Sequence, residues 1–302
     1  MDTLHPVATP MAMMAGRPAP GHRNRGPDKL PIALGLPVMA WQIAFFAGPL
    51  LFLVVITFWR VRSFRLEPAL SLDNWTRVLG SGTFQQAMLH TATIAATATL
   101  LALAMALPAA YTIALRLPSK VRDMAIAALV VPVLSSYILR IYAWQIVLSP
   151  EGIANSLLGG LGIGPLPLLG GAFSLQIGLL TLTLPIAVLI LVFALGGVDK
   201  SLIEAAGNLG CRRVRVVWNV LLPAIRPALV LAASSTFLLA FGDYVGPLFM
   251  TGSNPPTLSI LIVDTVKSGS QWPRASVIGV SMLVLLGLVY GAGQRFTARR
   301  FS

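Results

Sequence analysis

The chain has 302 residues, 56% of them hydrophobic and only 11% charged, and its mean hydropathy of +0.80 excludes an ordinary soluble globular domain. The formal net charge of +12 does not indicate nucleic acid, because the cations stand at the ends of apolar runs rather than on a polar domain. Cys211 is the single cysteine, which excludes an internal disulfide and is too little for a structural zinc site.

Residues 1–30 are rich in Pro, Gly, Met and Arg without periodicity, which predicts a disordered tail. A signal peptide is the alternative, but the apolar run Pro31–Trp59 is too long for its core and lacks a convincing cleavage site. That run carries no charge over 29 residues, enough to cross a bilayer core of roughly 30 Å. The predicted first span is 34–58. A polar connection, 60–83, follows with Arg60, Arg62, Arg65, Glu67, Asp73, Trp75 and Arg77. Span 2 is 84–115 and carries only His90, read as a solvated or hydrogen-bonded side chain near a span end. A short basic link, RLPSKVRD, leads to span 3 at 124–148, and span 4 is 173–196. Between these two lies a Gly/Pro-rich loop with room for a short interfacial helix. Spans 5 and 6 are 227–250 and 275–294.

The distribution of Lys and Arg sets the orientation. With the N-terminus inside, fifteen fall inside: Arg17, Arg23, Arg25, Lys29, Arg116, Lys120, Arg122, Lys200, Arg212, Arg213, Arg215, Arg226, Arg295, Arg299 and Arg300. Seven fall outside: Arg60, Arg62, Arg65, Arg77, Arg140, Lys267 and Arg274. Both termini and the polar island between spans 4 and 5 are therefore expected in the cytoplasm, although the four arginines of the first outer loop run against the rule. No internal repeat is evident, so inverted-repeat carriers gain no support.

The island, DKSLIEAAGNLGCRRVRVVWNVLLPAIR, runs from Asp199 to Arg226. Ser201 followed by Glu204 is a capping box, which predicts a helix start at Ser201. Glu204, Ala205 and Ala206 offer one charge and two small side chains against which another protein's backbone could pack. Gly210 is the natural end or bend of the helix, and Pro223 punctuates the approach to span 5. By composition alone this stretch reads equally well as a basic cytosolic loop. Its spacing is more specific. Glu204-Ala205-Ala206, three residues, Gly210, nine residues, Val220, one residue, then Leu222-Pro223 resembles the EAA loop of permease subunits of binding-protein-dependent ABC importers, with Val220 in place of the usual isoleucine. The resemblance implies that Ser201, Glu204, Ala205, Ala206, Gly210, Val220, Leu222 and Pro223 belong to a coupling helix that docks on a separate ATPase subunit.

Ionisable groups within spans are costly and mark function by default. Asp243 lies about 16 residues beyond the island, roughly 24–25 Å up span 5 in its outer half. Arg140 lies at a similar height on span 3. Both are read either as interface anchors beside Tyr137, Tyr142, Trp144 and Tyr244, or as a pair with each other, or as the lining of a solute pathway. A second resemblance starts here. LSLDNWTRVL, RLPSKVRD, VVPVLSSYILRIYAWQIVLSPEGIANSLL, FGDYVGPLFMTGS and Gln271-Trp272-Pro273 are similar to the spermidine/putrescine-type permeases of ABC importers, and together they cover roughly residues 70–290.

That resemblance implies an all-α integral membrane protein with the six transmembrane helices of the type I (MetI-like) importer permease fold over residues 31–302, with N- and C-termini cytoplasmic. It implies a second permease subunit, with the solute path at the interface, and a periplasmic or surface-tethered solute-binding protein. Relatives commonly carry an acid near the position of Asp243. A carboxylate beside Tyr244, Tyr142 and Trp144 suits a cationic polyamine, whereas Arg140 suits an anion, and relatives of this group also carry amino acid derivatives, opines, organic anions or iron complexes.

The sequence has no G-x-x-x-x-G-K-[ST] phosphate loop and no H-E-x-x-H, G-x-S-x-G or Cys/His cluster. The expectation is therefore a non-enzymatic transport subunit of the bacterial inner membrane that binds no cofactor itself, with ATP and Mg²⁺ on partner ATP-binding cassette subunits. A secondary carrier would need charged residues spread over several spans, and a membrane enzyme would need a nucleophile–base set at one depth. A scaffold subunit leaves the island unexplained.

Overall fold

The computed structural model describes residues 29–62 and 65–298, the side chains of residues 29–34, 200, 213 and 296–298 excepted. The tail expected over residues 1–30 lies outside the described residues except for its last two, which already belong to a helix. The chain divides into two compact units, Met1–Leu50 and Leu51–Ser302. The elements in order are α1 (Lys29–Gln42), a π-helical turn (Ile43–Ala47) and α2 (Gly48–Ile56), then β1 (Arg60–Arg62), β2 (Arg65–Glu67) and α3 (Asp73–Leu79). There follow α4 (Gly82–Leu115), α5 (Ser119–Leu134), α6 (Tyr137–Leu148), α7 (Ile153–Gly160) and α8 (Ala172–Gly196). The remainder is α9 (Lys200–Asn208), α10 (Arg213–Val216), a second π-helical turn (Val217–Leu221), α11 (Leu222–Ala224), α12 (Arg226–Gly242), α13 (Val245–Met250), α14 (Leu258–Lys267) and α15 (Trp272–Ala298).

Four stretches are long and apolar enough to cross a membrane: Gly35–Ile56, Gly82–Leu115, Ala172–Gly196 and Trp272–Arg295. Two bent pairs, Ser119–Leu134 with Tyr137–Gly160 and Val214–Ala224 with Arg226–Gly242, raise the number to six if each pair is one span.

The second unit is organised on α4. Its buried residues Ala95, Ala98, Ala102, Ala106 and Ala110 recur at three- and four-residue steps, forming a stripe with no side chain larger than a methyl group. Against such a stripe α8 and α12 can approach closely, which is how helices associate where lipid supplies no hydrophobic drive. Buried threonines satisfy themselves locally: the hydroxyls of Thr91, Thr99, Thr183 and Thr236 each donate to the carbonyl four residues back.

Contacts fix the relative directions. Gln176, near the start of α8, donates to Thr97 Oγ1 (2.6 Å) in the first half of α4, while Leu195 at the end of α8 shares a cluster with Ala106 and Ala110. The two helices are therefore parallel. α12 runs the other way, from Ile225 in that cluster to Ala240 and Phe241, which pack with Leu175, Leu179 and Val277. α15 returns, since a Cβ built on Gly293 would stand 3.1 Å from Val230 Cγ1. One end of the unit thus gathers 57–81, 149–171 and 251–271 (the hairpin end). The other gathers the 116–118 link, residues 199–225 and the end of α15 (the elbow end).

Several boundaries differ from expectation. Span 3 is not one helix over 124–148 but α5 and α6, bent by 93°. Pro132 removes a backbone donor, and Ser135 and Ser136 are extended, with ψ of 154° and 123°. Span 5 is not continuous to 250, because α12 stops at Gly242 and Asp243 is extended with ψ 133°. The connections at the hairpin end are also more structured than their composition indicated, beyond the short helix for which the second had room. The first holds the β1–β2 hairpin, with Arg60 opposite Glu67, and α3; the second holds α7; the third holds α14.

Candidate functional site

The break in α12 and the break between α5 and α6 meet. Freed from α12, Asp243 turns its carboxylate onto the start of α13: Oδ1 accepts from the Val245 amide (3.2 Å) and Oδ2 from the Gly246 amide (2.9 Å). This is the side-chain substitute for a lost helical turn that short acids supply. The same Oδ2 accepts from the hydroxyl of Tyr137 (2.9 Å), the first residue of α6. Gly246 is required by this geometry, since a Cβ there would lie 2.5 Å from Asp243 Oδ2 and 3.2 Å from the Tyr137 oxygen.

Arg140 stands in the same layer with its guanidinium 5.7 Å from the centre of the Tyr137 ring. Its Nη1 donates to the Thr181 carbonyl of α8 at 2.6 Å, and its buried Nε has no acceptor. Among the described residues no ion pair joins Arg140 to Asp243. Of the three readings of these charges, the one in which they pair with each other is therefore corrected: Tyr137 stands between them, giving its hydroxyl to one and its ring face to the other. Asp243 is held by neutral donors alone, which orient a carboxylate without cancelling its charge. Of the predicted aromatic residues, Tyr244 is half-buried next to Asp243, whereas Tyr142 is 45% exposed with its ring 5.0 Å from that of Phe249, and Trp144 is half-buried in the apolar cluster of Ile141 and Met250. Gln145 donates to the Phe249 carbonyl, and Ser174 Oγ and the Gly170 amide both donate to Met250 O at 3.1 and 3.0 Å. The first amides of the short α13 are thus met by Asp243 just before it, and its last carbonyls by donors from α6 and the start of α8. The sequence reading included Asp243 and the aromatic residues but missed Gly246 and Gln145. The Asp-x-x-Gly spacing of GDYVGP is the one signal that pointed to Gly246.

At the elbow end the helix starts at Lys200, one residue before the capping box. Asp199, not Ser201, is the N-cap: its Oδ1 accepts from the Ser201 amide at 2.9 Å. That amide, and behind it the Ser201 hydroxyl, holds the exposed Asp199 carboxyl below its usual range. Aspartate is as good a cap as serine, and its position lets Lys200 join the helix. Glu204 and Ala205 are exposed on α9, whereas Ala206 is buried at 8%, so only one of the two small residues offers an outer surface for another backbone.

α9 closes with Gly210 at φ +75°, its amide bonded to Gly207 O (2.9 Å) and the Cys211 amide to Ala206 O (3.1 Å). Both bonds of a Schellman termination are present. No atom lies within 4 Å of a Cβ built at Gly210, so the demand for glycine there is conformational, not steric. The second piece, residues 213–224, carries Val220 and Leu222 half-buried and Pro223 exposed, and is anchored in the core by Leu221 and Ile225 at 2% and 3% exposure. Residues 214–224 meet α12 at 77°. Glu204 faces a cleft of about 660 Å³ opposite Arg116 and Arg122 of the link.

No family model matches the chain. Over 255 residues it is 28% identical to the spermidine/putrescine transport system permease protein PotB of Escherichia coli (strain K12), covering 83% of this chain and 92% of that one. Over 273 residues it is 30% identical to the putative 2-aminoethylphosphonate transport system permease protein PhnU of Salmonella choleraesuis (strain SC-B67), covering 85% and 91%. In three dimensions it matches, with a TM-score of 0.75 at 17% identity, a chain of a bacterial ABC transporter involved in the import of the acidic polysaccharide alginate. That match covers 91% of this chain and 97% of the other, and it shows a shared fold.

Proposed function

Since the chain belongs to the permease subunits of ABC importers, we propose that residues 200–224 are the lever through which a separate ATPase drives it, and that the layer of Asp243, Tyr137 and Arg140 faces the solute. The observation that carries the first part is the build of the elbow. A capped rigid helix with Glu204 and Ala205 exposed ends at a left-handed Gly210, and the next piece is anchored at Leu221 and Ile225. A rigid helix transmits displacement that a floppy loop dissipates, and Ser201, Val220, Leu222 and Pro223 belong to the same lever. In this reading the chain supplies six spans in the bacterial inner membrane, with both termini and the elbow end cytoplasmic. ATP and Mg²⁺ belong to the partner ATPase, a second permease completes the path, and a solute-binding protein delivers cargo at the hairpin end.

For the solute, the reading is a cationic amine of the polyamine class. Asp243 has no cationic partner among the described residues and stands next to Tyr244 and against Tyr137, and PotB-type permeases are relatives. A zwitterion with an anionic group is the second reading, favoured by the Arg140 Nε that lacks an acceptor and by the PhnU relative. The test is uptake into proteoliposomes holding the complete transporter. Glu204→Lys and Gly210→Asp are expected to leave the subunit inserted but abolish solute uptake and solute-stimulated ATP hydrolysis. Uptake equal to the parent's would make the lever assignment wrong. Competition by spermidine against 2-aminoethylphosphonate separates the two solute readings.

A further inference from the structure

At the elbow end an apolar slot of about 340 Å³ opens between the end of α4, the end of α8 and the 213–224 segment. Its walls include Leu107, Tyr111, Leu195, Val217, Trp218 and Leu222, with almost no polar surface. Tyr111 and Leu221 are shared with the adjoining cleft, which holds Arg116 and Arg122. The Arg116 guanidinium lies 5.3 Å from the Tyr111 ring centre and donates to its hydroxyl (3.4 Å), and among the described residues it has no carboxylate partner. Among the described residues Arg122 pairs only with its neighbour Asp123 (3.5 Å), and Glu204 is the acid that lines the cleft. The segment on the slot's far side is amphipathic: Val214 and Trp218 are 69% and 66% exposed, while Arg212 and Arg215 are exposed and charged. It turns 77° from α12, as a helix lying in the membrane interface does.

We propose that slot and cleft together bind one anionic phospholipid from the leaflet at the elbow end, an acyl chain in the slot and the phosphate between Arg116 and Arg122. Charge decides the occupant. An apolar protein segment laid on the slot would cover its wall but leave Arg116 without a carboxylate and Arg122 with Asp123 alone among the described residues, whereas a phospholipid satisfies slot and arginines at once. The proposal needs the chain to lie in a membrane and does not depend on the lever reading.

The purified chain in neutral detergent is offered dioleoylphosphatidylglycerol or dioleoylphosphatidylcholine, and bound lipid is read by native mass spectrometry alongside the thermal midpoint. The anionic lipid is expected to be retained and to raise the midpoint, and the zwitterionic lipid to do neither. Arg116→Gln with Arg122→Gln should weaken retention about tenfold. Val217→Trp, which fills the slot with both arginines intact, should weaken it as well, and the arginine pair decides the matter even if that variant does not fold. sn-Glycerol 3-phosphate, the same anion without tails, should neither bind nor protect. Equal retention of the two lipids, undiminished retention in the arginine variant, protection by glycerol phosphate alone, or a dimer of the chain in place of the lipid adduct would each overturn the proposal.

Discussion

At Asp243 and at Gly210 the chain leaves a helix by different means. α12 ends in a layer where Tyr137, the amides of Val245 and Gly246, and the Gln145 and Ser174 side chains lock the following turn to α6 and α8. α9 ends on its own backbone, with a left-handed glycine, two local bonds and open space around it. The first break is held by partners distant in sequence and fixes a position. The second is held by its neighbours alone and leaves a joint. Charges aimed at a solute need the former, and a segment that must move as a lever needs the latter.

The largest effect that can break this contrast is expected at Gly246. Gly246→Val drives a side chain into Asp243 Oδ2 and the Tyr137 oxygen, and overpacking of this kind costs about 2–3 kcal/mol. It should appear as a lowered thermal midpoint and a shrunken monodisperse peak in detergent, whereas Gly210→Val, which meets no atom but strains the left-handed backbone of an exposed joint, should disturb that joint locally, impairing coupled uptake with a smaller loss of the peak. Equal losses at the two glycines would dissolve the distinction. Tyr137→Phe sharpens it with a smaller step. It removes one hydrogen bond from Asp243 and should cost about 1 kcal/mol in stability, with a larger proportional loss in uptake, because the two breaks are no longer tied.

The smallest expected effect is at Asp199. Its carboxyl lies below its ordinary range when folded, so the cap is fully present above the unfolded value near 3.8 and is lost as pH falls through the lower folded value. Asp199→Ala should therefore speed amide exchange at Ser201 and Leu202 at neutral pH, with the difference from the parent vanishing in strong acid. A difference that grew toward acid would contradict the cap.

Much of this was legible beforehand, for identifiable reasons. Apolar runs near 20 residues announce spans wherever they occur, and the starts of α4, α8 and α15 fall within three residues of expectation. The helix of the island, its end at Gly210 and the exposed Glu204 could be read because capping and glycine chemistry are local. The choice of Asp199 over Ser201 was not readable in that way, since both are competent caps and the helix length decides between them. Of α3, α7 and α14, the three helices in the connections, only α7 had been allowed for. They lie in connections whose composition resembles loops, and they are ordered by contacts from outside themselves: Asn74 donates to the Thr57 and Trp59 carbonyls at 2.8 Å, Asn155 closes on Leu166, and Thr91 receives the Leu258 amide at 2.9 Å.

By itself the sequence determined that this is a membrane-spanning helical protein with one polar elbow between two apolar runs, because partition into lipid and helix termination depend on neighbours a few residues apart. Tertiary structure alone decided that two spans break, that the breaks face each other, and that Asp243 answers to Tyr137 rather than to Arg140. Those partners are 106 residues apart, and no local preference records which hydroxyl a buried carboxylate will meet.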